Sequence, residues 1–222
     1  MKRINVIFFA ILMAFVFSIF VSLNPVSAIT AGEIIQKVKT ANPGLKDYRA
    51  KMKCKLNASY NINIGVRFKG DFYYKAPFRY KIKLHNVPSF MSKYQQTFVD
   101  SFGPIVKPQD YNYTVMPDQT VEGVNCHRVV AVPKQEMGDL LKVELWVNSS
   151  NYILEKLLFY YKNEGKIERR PTYSQIEGFW LPIKESADFN FPSIKLQAKL
   201  ETLYDNFKLN QNYPDSMFTD KQ

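Results

Sequence analysis

The clearest pattern in the sequence is a strict alternation of apolar and cationic residues between Tyr48 and Leu56. All even-numbered positions are apolar or aromatic, and all odd-numbered positions are lysine or arginine. Because successive side chains of a β-strand point to opposite faces, the alternation predicts a strand with one apolar face and one strongly positive face. A shift of register by one residue would exchange the two faces, so the pairing of this strand is strongly specified.

Residues 62–69 and 78–85 keep the same parity and predict two more strands of the same sheet. Their even-numbered positions are apolar, and their odd-numbered positions are mostly cationic or polar. Together the three strands predict a sheet with an apolar inner face. The side chains that we call the inner-face residues are Met52, Leu56, Ile62, Ile64, Val66, Phe68, Tyr80, Ile82 and Leu84.

The opposite parity puts ten cations on the other side of this sheet, which we call the basic face. They are Arg49, Lys51, Lys53, Lys55, Arg67, Lys69, Lys75, Arg79, Lys81 and Lys83. Asp71 is the one acid of that parity in these three strands. Neighbouring strands lie about 5 Å apart, so the cations form a continuous patch. It is either a solvated surface that discourages aggregation of strand edges, or a membrane-facing surface on which each cation contributes about 1 kcal/mol to binding of anionic lipid.

Two segments have the spacing of amphipathic helices. Thr30 and Glu33 form a capping box before a short helix that ends at Asn42-Pro43-Gly44. A second helix is predicted between residues 90 and 102. These helices either act as lids over the inner face or pack on it as ordinary core elements. The side chains predicted to cover the sheet are Ile34, Ile35, Val38, Phe90, Met91, Tyr94 and Phe98.

The chain from residue 111 onward is mostly strand-like. Short strands with turn residues between them favour a β-barrel or sandwich over a parallel sheet. The predicted strands span residues 111–116, 124–132, 143–147, 152–162, 167–176, 179–189 and 194–204.

Residues 1–28 have the organisation of a signal peptide. Lys2 and Arg3 precede an apolar run from residue 6 to 23, and Val26-Ser27-Ala28 supplies small residues for cleavage. An uncleaved membrane anchor is the alternative, because the run is near the lower limit for a membrane span. Either way the sequence predicts an exported protein, in the periplasm or at the outer face of the cytoplasmic membrane, with one domain over residues 29–222.

The net charge limits the classes of partner. The whole chain carries +10, and removal of the two cations in residues 1–28 leaves +8. On an exported protein this charge favours an anionic membrane surface or an acidic envelope polymer, or serves solubility alone. The compartment argues against a nucleic-acid partner.

Little in the sequence points to catalysis or to a cofactor. The chain has no Gly-x-Ser-x-Gly elbow and no phosphate-binding glycine loop, so we predict that it is not an enzyme; a hydrolase of envelope polymers is the weakest alternative. The two cysteines and two histidines lack metal-ligand spacing. Cys54 and Cys126 form a disulfide, or remain as two buried thiols; the sequence leaves both open.

Several short motifs occur in a familiar order. Glu33 to Val38 reads E-I-I-Q-K-V, and residues 45–48 read L-K-D-Y before the first strand. They are followed by K-G-D-F-Y-Y-K-A-P-F-R at 69–79, E-L-W-V-N at 144–148, Y-D-N-F-K-L-N at 204–210 and P-D-S-M-F at 214–218. In this order the chain resembles the LolA-like family of outer-membrane lipoprotein-sorting proteins and periplasmic lipoprotein carriers, over most of its mature length.

The resemblance implies a half-open, strongly curved antiparallel β-barrel with helices over its concave face. It also implies a non-enzymatic carrier, or chaperone, that holds the acyl chains of a lipoprotein or lipid against the inner-face residues and exchanges them with membrane-bound donor or acceptor proteins. An envelope sensor that binds a protein partner is the alternative. Carriers of the family use an inward-facing arginine to hold the lid. The first-strand cations face outward here, and Arg128 is the inner candidate.

Overall fold

The structure is a computed structural model that describes residues 29–60, 62–85 and 109–218. In these residues one α-helix precedes ten strands. The elements are α1 (Ala31–Lys39), β1 (Asp47–Tyr60), β2 (Ile62–Lys75), β3 (Arg79–His85), β4 (Tyr111–Val121), β5 (Val124–Pro133), β6 (Leu140–Asn148), β7 (Leu154–Tyr161), β8 (Lys166–Ile176), β9 (Phe179–Phe191) and β10 (Leu196–Leu209). The predicted signal peptide and the predicted second helix lie outside the described residues.

All ten strands belong to one antiparallel sheet, in the order β3-β2-β1-β10-β9-β8-β7-β6-β5-β4. Two meanders, β1–β3 and β4–β10, are joined where the first and last strands pair. Among the described residues β3 and β4 are the two edges and do not pair with each other, so the sheet is open. A mainly β, antiparallel architecture is therefore confirmed.

The pairing of β1, β2 and β3 gives the two faces predicted from parity. Residues directly opposite each other in an antiparallel pair lie on the same face of the sheet. Cys54 lies opposite Phe68, Leu56 lies opposite Val66, and the same register runs through β1 and β2 without a break. All the inner-face residues thus lie on one side, and the ten cations lie on the other.

The inner face continues across the rest of the sheet. One row of mutually opposite residues crosses nine strands from β4 to β2, and eight of its nine members are apolar. We call it the central row, and its members are Val115, Val129, Leu145, Leu157, Arg169, Ala187, Leu200, Leu56 and Val66.

A cluster of buried side chains lies where β1, β10 and β9 come together. Met52, Leu181 and Leu200 are each only 1% exposed there. The ring of Tyr48 packs beside them in a group of aromatic side chains, with its centroid 5.2 Å from that of Tyr74. This part of the inner face is a packed core rather than an open surface.

Gly70 permits the close approach of β2 and β3. The register runs through it without a shift, opposite Met52 on one side and Leu84 on the other. A Cβ atom at this position would lie 2.8 Å from the carbonyl oxygen of Lys83. Any side chain would therefore push the edge strand away.

The C-terminal segment is fixed beside the start of β1 by a buried carboxylate. Asp47 is 1% exposed and accepts hydrogen bonds from the backbone N–H groups of Gln211 at 2.7 Å and Tyr213 at 3.1 Å. Beyond it, Asp215 forms ion pairs with Lys75 and Arg79 on the basic face. The chain end thus contributes negative charge to that face.

Leu200 and Leu203 provide a matched pair on β10 for testing the two faces. Leu200 is 1% exposed in the central row, whereas Leu203 is 49% exposed on the basic face. We expect Leu200→Ala to lower the free energy of unfolding by about 2–5 kcal/mol through lost burial and a residual cavity. Leu203→Ala should change it by less than about 1 kcal/mol. Urea titrations would measure both, and equal losses would contradict the assignment of faces.

Candidate functional site

Helix α1 is joined to the sheet at both of its ends. Ile34 and Ile35 are 0% and 3% exposed, and the helix lies against β4. Lys37 Nζ donates a hydrogen bond to the hydroxyl of Tyr152 at 2.8 Å. Val38 is half-buried. The other side chains predicted to cover the sheet, Phe90, Met91, Tyr94 and Phe98, lie outside the described residues.

The loop after α1 is pinned by a side-chain amide. Asn42 Nδ2 donates to the carbonyl oxygen of Trp180 at 2.9 Å, and the Trp180 N–H donates to Asn42 Oδ1 at 2.7 Å. The amide thereby pairs with the backbone of β9 as another strand residue would. Leu45, three residues further on, is buried in the cluster around Leu181.

The inner-face residues become more exposed along β1 and β2. Met52, Phe68 and Ile82 are buried, whereas Leu56, Ile64, Val66, Tyr80 and Leu84 are half-buried. The side chain of Ile62 is outside the described residues. Apolar side chains are thus packed at one end of the face and partly accessible at the other.

A cleft of about 590 Å³ lies at this more accessible end of the sheet. It is lined by Ala58, Ile64 and Phe189 of the inner face and by Asn57 and Gln197 of the outer face. The volume is within the range of small-molecule sites. A ligand could therefore reach the inner face from here.

A buried ion pair interrupts the apolar inner face. Arg169 Nε donates to Glu185 Oε1, and the hydroxyl of Tyr204 donates to Glu185 Oε2 at 3.4 Å. The side chains of Arg169 and Glu185 are only 11% and 6% exposed. Burial lowers the pKa of Arg169, but attraction to the Glu185 carboxylate outweighs it, so the pKa lies above its ordinary value and the guanidinium stays charged.

Three tyrosines surround this pair and remain protonated. Burial raises the pKa values of Tyr48, Tyr173 and Tyr204 above the ordinary value, and the negative charge of Glu185 raises each further. Their hydroxyl groups can therefore donate hydrogen bonds at any physiological pH. Together with Arg169 and Glu185 they form what we call the inner polar cluster.

Sequence reasoning missed this cluster, although parity alone could have found it. Arg169 shares its parity with Ile167 on β8, and both lie on the inner face. Glu185 stands among the alternating residues Ile183, Ala187 and Phe189 on β9. Charged residues at apolar positions of two paired strands were the available signal.

The prediction that Arg128 faces inward is wrong. It shares its face with Trp146 and Glu144, opposite to Val129 of the central row. Its Nη2 donates to Glu144 Oε2 at 2.6 Å, and its guanidinium lies 5.7 Å from the centre of the Trp146 ring. Lys156 lies over the same ring, at 4.8 Å. Arg128 therefore covers the outer surface of the sheet, and Arg169 is the arginine on the inner face.

The basic face is more nearly neutral than its sequence indicates, because acids from outside the three strands reach it. β10 supplies Glu201 and Asp205, which pair with Lys55 and Lys53 at 3.9 and 2.6 Å. Asp215 adds a third acid, as described above. Positive charge is therefore less dense on this face than on the isolated strands.

The exposed Leu203 lies in one row with several cations. In that row Lys184, Leu203, Lys53, Lys69 and His85 stand mutually opposite across five strands. Within the described residues, five cations of this face form no ion pair. They are Arg67, Lys69, Lys81, Lys83 and Lys184, and we call them the basic surface.

The two cysteines are not bonded to each other. Cys54 lies on the inner face, with its Sγ 3.7 Å from the hydroxyl of Thr202, whereas Cys126 lies on the outer face and donates to the carbonyl of Val124. The disulfide that the sequence left open is thus not formed, because five strands and opposite faces separate the two. Burial raises the pKa of each thiol to about 11, so both are poor nucleophiles.

Neither a metal site nor a membrane helix is found in the described part of the chain. No group of three or more His, Cys, Asp or Glu residues there is arranged to hold an ion. No helix among these residues has the length and hydrophobicity needed to cross a bilayer.

Comparison with known proteins places the chain in a family. Residues 99–222, more than half of the sequence, match the model of a family described as "Uncharacterized protein". The chain belongs to that family. No curated protein sequence matches it.

Solved structures identify the fold. A LolA superfamily protein from Nitrosomonas europaea superposes with a TM-score of 0.63 at 16% identity, covering 87% of this chain and 99% of that one. A DUF1329 family protein from Desulfovibrio piger gives 0.61 at 10% identity, covering 84% and 95%. A domain assigned as an outer membrane lipoprotein-sorting protein, from Vibrio parahaemolyticus, gives 0.60 at 14%, covering 84% and 94%. The chain therefore has the LolA-like fold; these identities are too low to carry function.

The carboxylate that organises the basic face gives a pH-dependent contribution to stability. Asp71 is 7% exposed and accepts hydrogen bonds from Arg49, Lys51 and His85, each at 2.9 Å. Burial alone would raise the pKa of Asp71, but the hydrogen bonds from His85, Lys51 and Arg49 lower it to about 2. A lowered pKa in the folded state stabilises the fold above the pKa of the unfolded chain, and this stabilisation is lost as the pH falls to about 2.

We expect Asp71→Asn to lower the free energy of unfolding by about 2 kcal/mol at pH 7, corresponding to the shift in pKa. The difference from wild type should shrink between about pH 4 and pH 2. Glu201→Gln is the control, because Glu201 has a single ion pair at 3.9 Å. Denaturant titrations over this pH range provide the measurement. A difference that does not change with pH would refute the electrostatic explanation.

Proposed function

We propose that the protein is a non-enzymatic carrier that binds acyl chains of a lipid or lipoprotein against its inner face. The supporting observation is the central row, an apolar surface that crosses nine strands and ends at the half-buried Leu56 and Val66 beside an open cleft. Most of the row is buried, and its half-buried members Leu56 and Val66 lie where the cleft opens. Ligand sites are commonly clefts lined mainly by apolar side chains. The fold it shares with a domain assigned to lipoprotein sorting agrees with this proposal.

The carrier would work as a half-open barrel whose helices act as lids. Helix α1 packs on the sheet through Ile34 and Ile35 and pairs with it through Lys37, and Asn42 holds the loop that follows the helix. A cover attached in this way can move without breaking the strand ladder. Residues 1–28 would direct export and be removed, leaving residues 29–222 to work in the periplasm or at the outer face of the cytoplasmic membrane.

The basic surface would bring the carrier to an anionic membrane. Of its five cations, Lys184 lies directly opposite Leu203, which is 49% exposed, and Arg67 and Lys69 line the same shallow depression. Cations near an anionic bilayer each contribute about 1 kcal/mol, and an exposed apolar side chain can enter the interface. An acyl carrier has to collect and release its ligand at membranes, so a docking surface on the face opposite the cavity suits the role.

Val66 and Arg67 are neighbours on opposite faces and allow a matched test of ligand binding. We expect Val66→Asp to weaken binding of a fluorescent fatty acyl probe at least tenfold, because it places a charge on the apolar surface. Arg67→Asp should leave the affinity within about twofold of wild type, since that side chain points away. Fluorescence titration of the mature protein gives both affinities.

Two outcomes would count against the carrier. Equal affinities in the two variants would place the probe elsewhere. Native mass spectrometry of the purified protein that showed a stoichiometric protein partner and no lipid would favour the envelope sensor instead.

Vesicle binding tests the basic surface. We expect the mature protein to co-sediment with vesicles in proportion to their anionic lipid, and less so at high salt. Lys69→Glu with Lys184→Glu should abolish this binding. Lys51 is unsuitable for such a test, because it holds the buried Asp71. Lys134→Glu with Lys195→Glu changes the net charge equally at exposed positions elsewhere and is the control. Equal binding to neutral vesicles would show that the surface is merely solvated.

A further inference from the structure

Arg169 occupies the only charged position in the central row. Its neighbours in that row are Leu157 and Ala187, which are 5% and 3% exposed. With side chains 11% and 6% exposed, Arg169 and Glu185 form the most buried ion pair in the described part of the chain. Because this ion pair lies in the middle of the proposed acyl-binding surface, its presence there needs a chemical explanation.

Stability alone gives no reason for this pair. Removing two charges from water costs several kcal/mol per ion, and replacement of such a pair by apolar residues of similar volume is often neutral or stabilising. Leucine or methionine in place of both Arg169 and Glu185 would make this part of the inner face apolar. The pair therefore fits a surface that has to recognise something polar at this point.

The charges of the cluster define what it can recognise. Arg169 and Glu185 balance each other, so a ligand carboxylate entering here would leave one negative charge uncompensated. A neutral carbonyl oxygen would add no charge, and guanidinium and hydroxyl groups are hydrogen-bond donors for it. The tyrosine hydroxyls of the cluster remain protonated, as described above.

We propose that the inner polar cluster binds the ester or amide carbonyl of an acylated ligand, and that it selects such neutral ligands over free fatty acids. This inference rests on the proposed carrier function and specifies which group of the ligand the protein recognises, namely the carbonyl. The acyl chain would then extend from Arg169 toward the half-buried Leu56 and Val66, and its entry requires the side chains packed over the buried Ala187 and Leu200 to move apart. Four strand spacings correspond to about 19 Å, comparable to an extended long-chain acyl group.

The first test inverts the charge balance. Glu185→Gln leaves the Arg169 guanidinium without its counter-charge and should favour a ligand carboxylate. The probes are a fluorescent long-chain fatty acid and its methyl ester, titrated at a pH where the acid is ionised. We expect the wild-type protein to prefer the ester, and Glu185→Gln to shift the ratio of the two affinities at least tenfold toward the acid.

Glu144→Gln is the matched control for this substitution. Glu144 pairs with Arg128 on the outer face, and both glutamates stand 16 residues from their arginines and are almost fully buried. The control should leave the ratio of affinities unchanged. If both variants change the ratio of the two affinities equally, or neither changes it, the cluster does not recognise the carbonyl end of the ligand and the proposal is overturned.

A second variant covers the case in which Glu185→Gln does not fold, since an unpaired buried charge is strongly destabilising. Arg169→Met with Glu185→Gln removes both charges at similar volume. Wild type should bind the methyl ester at least tenfold more tightly than an alkyl probe of equal length that lacks the carbonyl, and this variant should lose that preference. Arg128→Met with Glu144→Gln should keep it.

The outcomes separate this proposal from the function on which it rests. If the wild-type protein binds none of the acyl probes, the carrier function fails and the inference fails with it. If all probes bind and the double variant keeps the full preference for the ester, the carrier function stands and the inference alone is overturned.

Discussion

The register of β1 is the constraint on which the rest of the sheet depends. β1 pairs with β2 on one side and with β10 on the other, and it thereby joins the two meanders into one sheet. Its alternation is so strict that a shift by one residue would bury a row of cations and expose Tyr48, Ala50 and Met52. Neighbouring strands then inherit the orientation of β1, and the apolar face extends to β4.

The two faces of the sheet are stabilised by different forces. The inner face is covered by apolar packing, as around Met52 and Leu200. In the part of the chain that the structure describes, no element packs on the outer face of β1–β3, where acids pair with several cations. Asp71 and Glu144 are 5% and 3% exposed because long basic side chains lie over them, and the aliphatic parts of those side chains shield the sheet. The positive composition of the chain is thus partly a structural device.

The sequence predicts β1–β3 well and the remaining strands less completely, for a physical reason. In β1–β3 the outward positions are mostly cationic or polar, so polarity follows the period of the strand. In β5 and β6 the outer face also buries Trp146, Cys126 and Glu144, and apolar and charged residues therefore occur on both faces. Alternation is lost there, and Arg128 could not be assigned from it.

Where a bulge interrupts the alternation of side chains, the end of a strand is also difficult to predict from the sequence. β10 continues to Leu209, five residues beyond its predicted end, because a bulge restores its pairing with β1. Lys51 lies opposite Asp205, but Arg49 lies opposite Lys208, and Asn206 takes up the extra residue with φ of 52°. Asparagine tolerates that left-handed conformation better than most residues. The polar cluster of the site was hidden differently, since Arg169 and Glu185 come together only through the pairing of β8 with β9.

Two Arg–Glu pairs of the same composition and the same sequence separation stand on opposite faces, and the comparison shows what burial changes. The Arg128–Glu144 pair has Lys142 as a third member and Trp146 beneath it, and the arginine is 29% exposed. Water and a second cation can compensate each charge, so the outer pair is an ordinary way to cover a sheet. Arg169 has apolar neighbours in the central row, its Nε donates to Glu185, and Glu185 also accepts from the hydroxyl of Tyr204. Because interactions between charges are stronger where water is excluded, a single charge added to or removed from the inner pair has a much larger effect than the same change outside. Among the described residues, the inner pair is thus the place on the apolar surface where an added charge would have its largest effect.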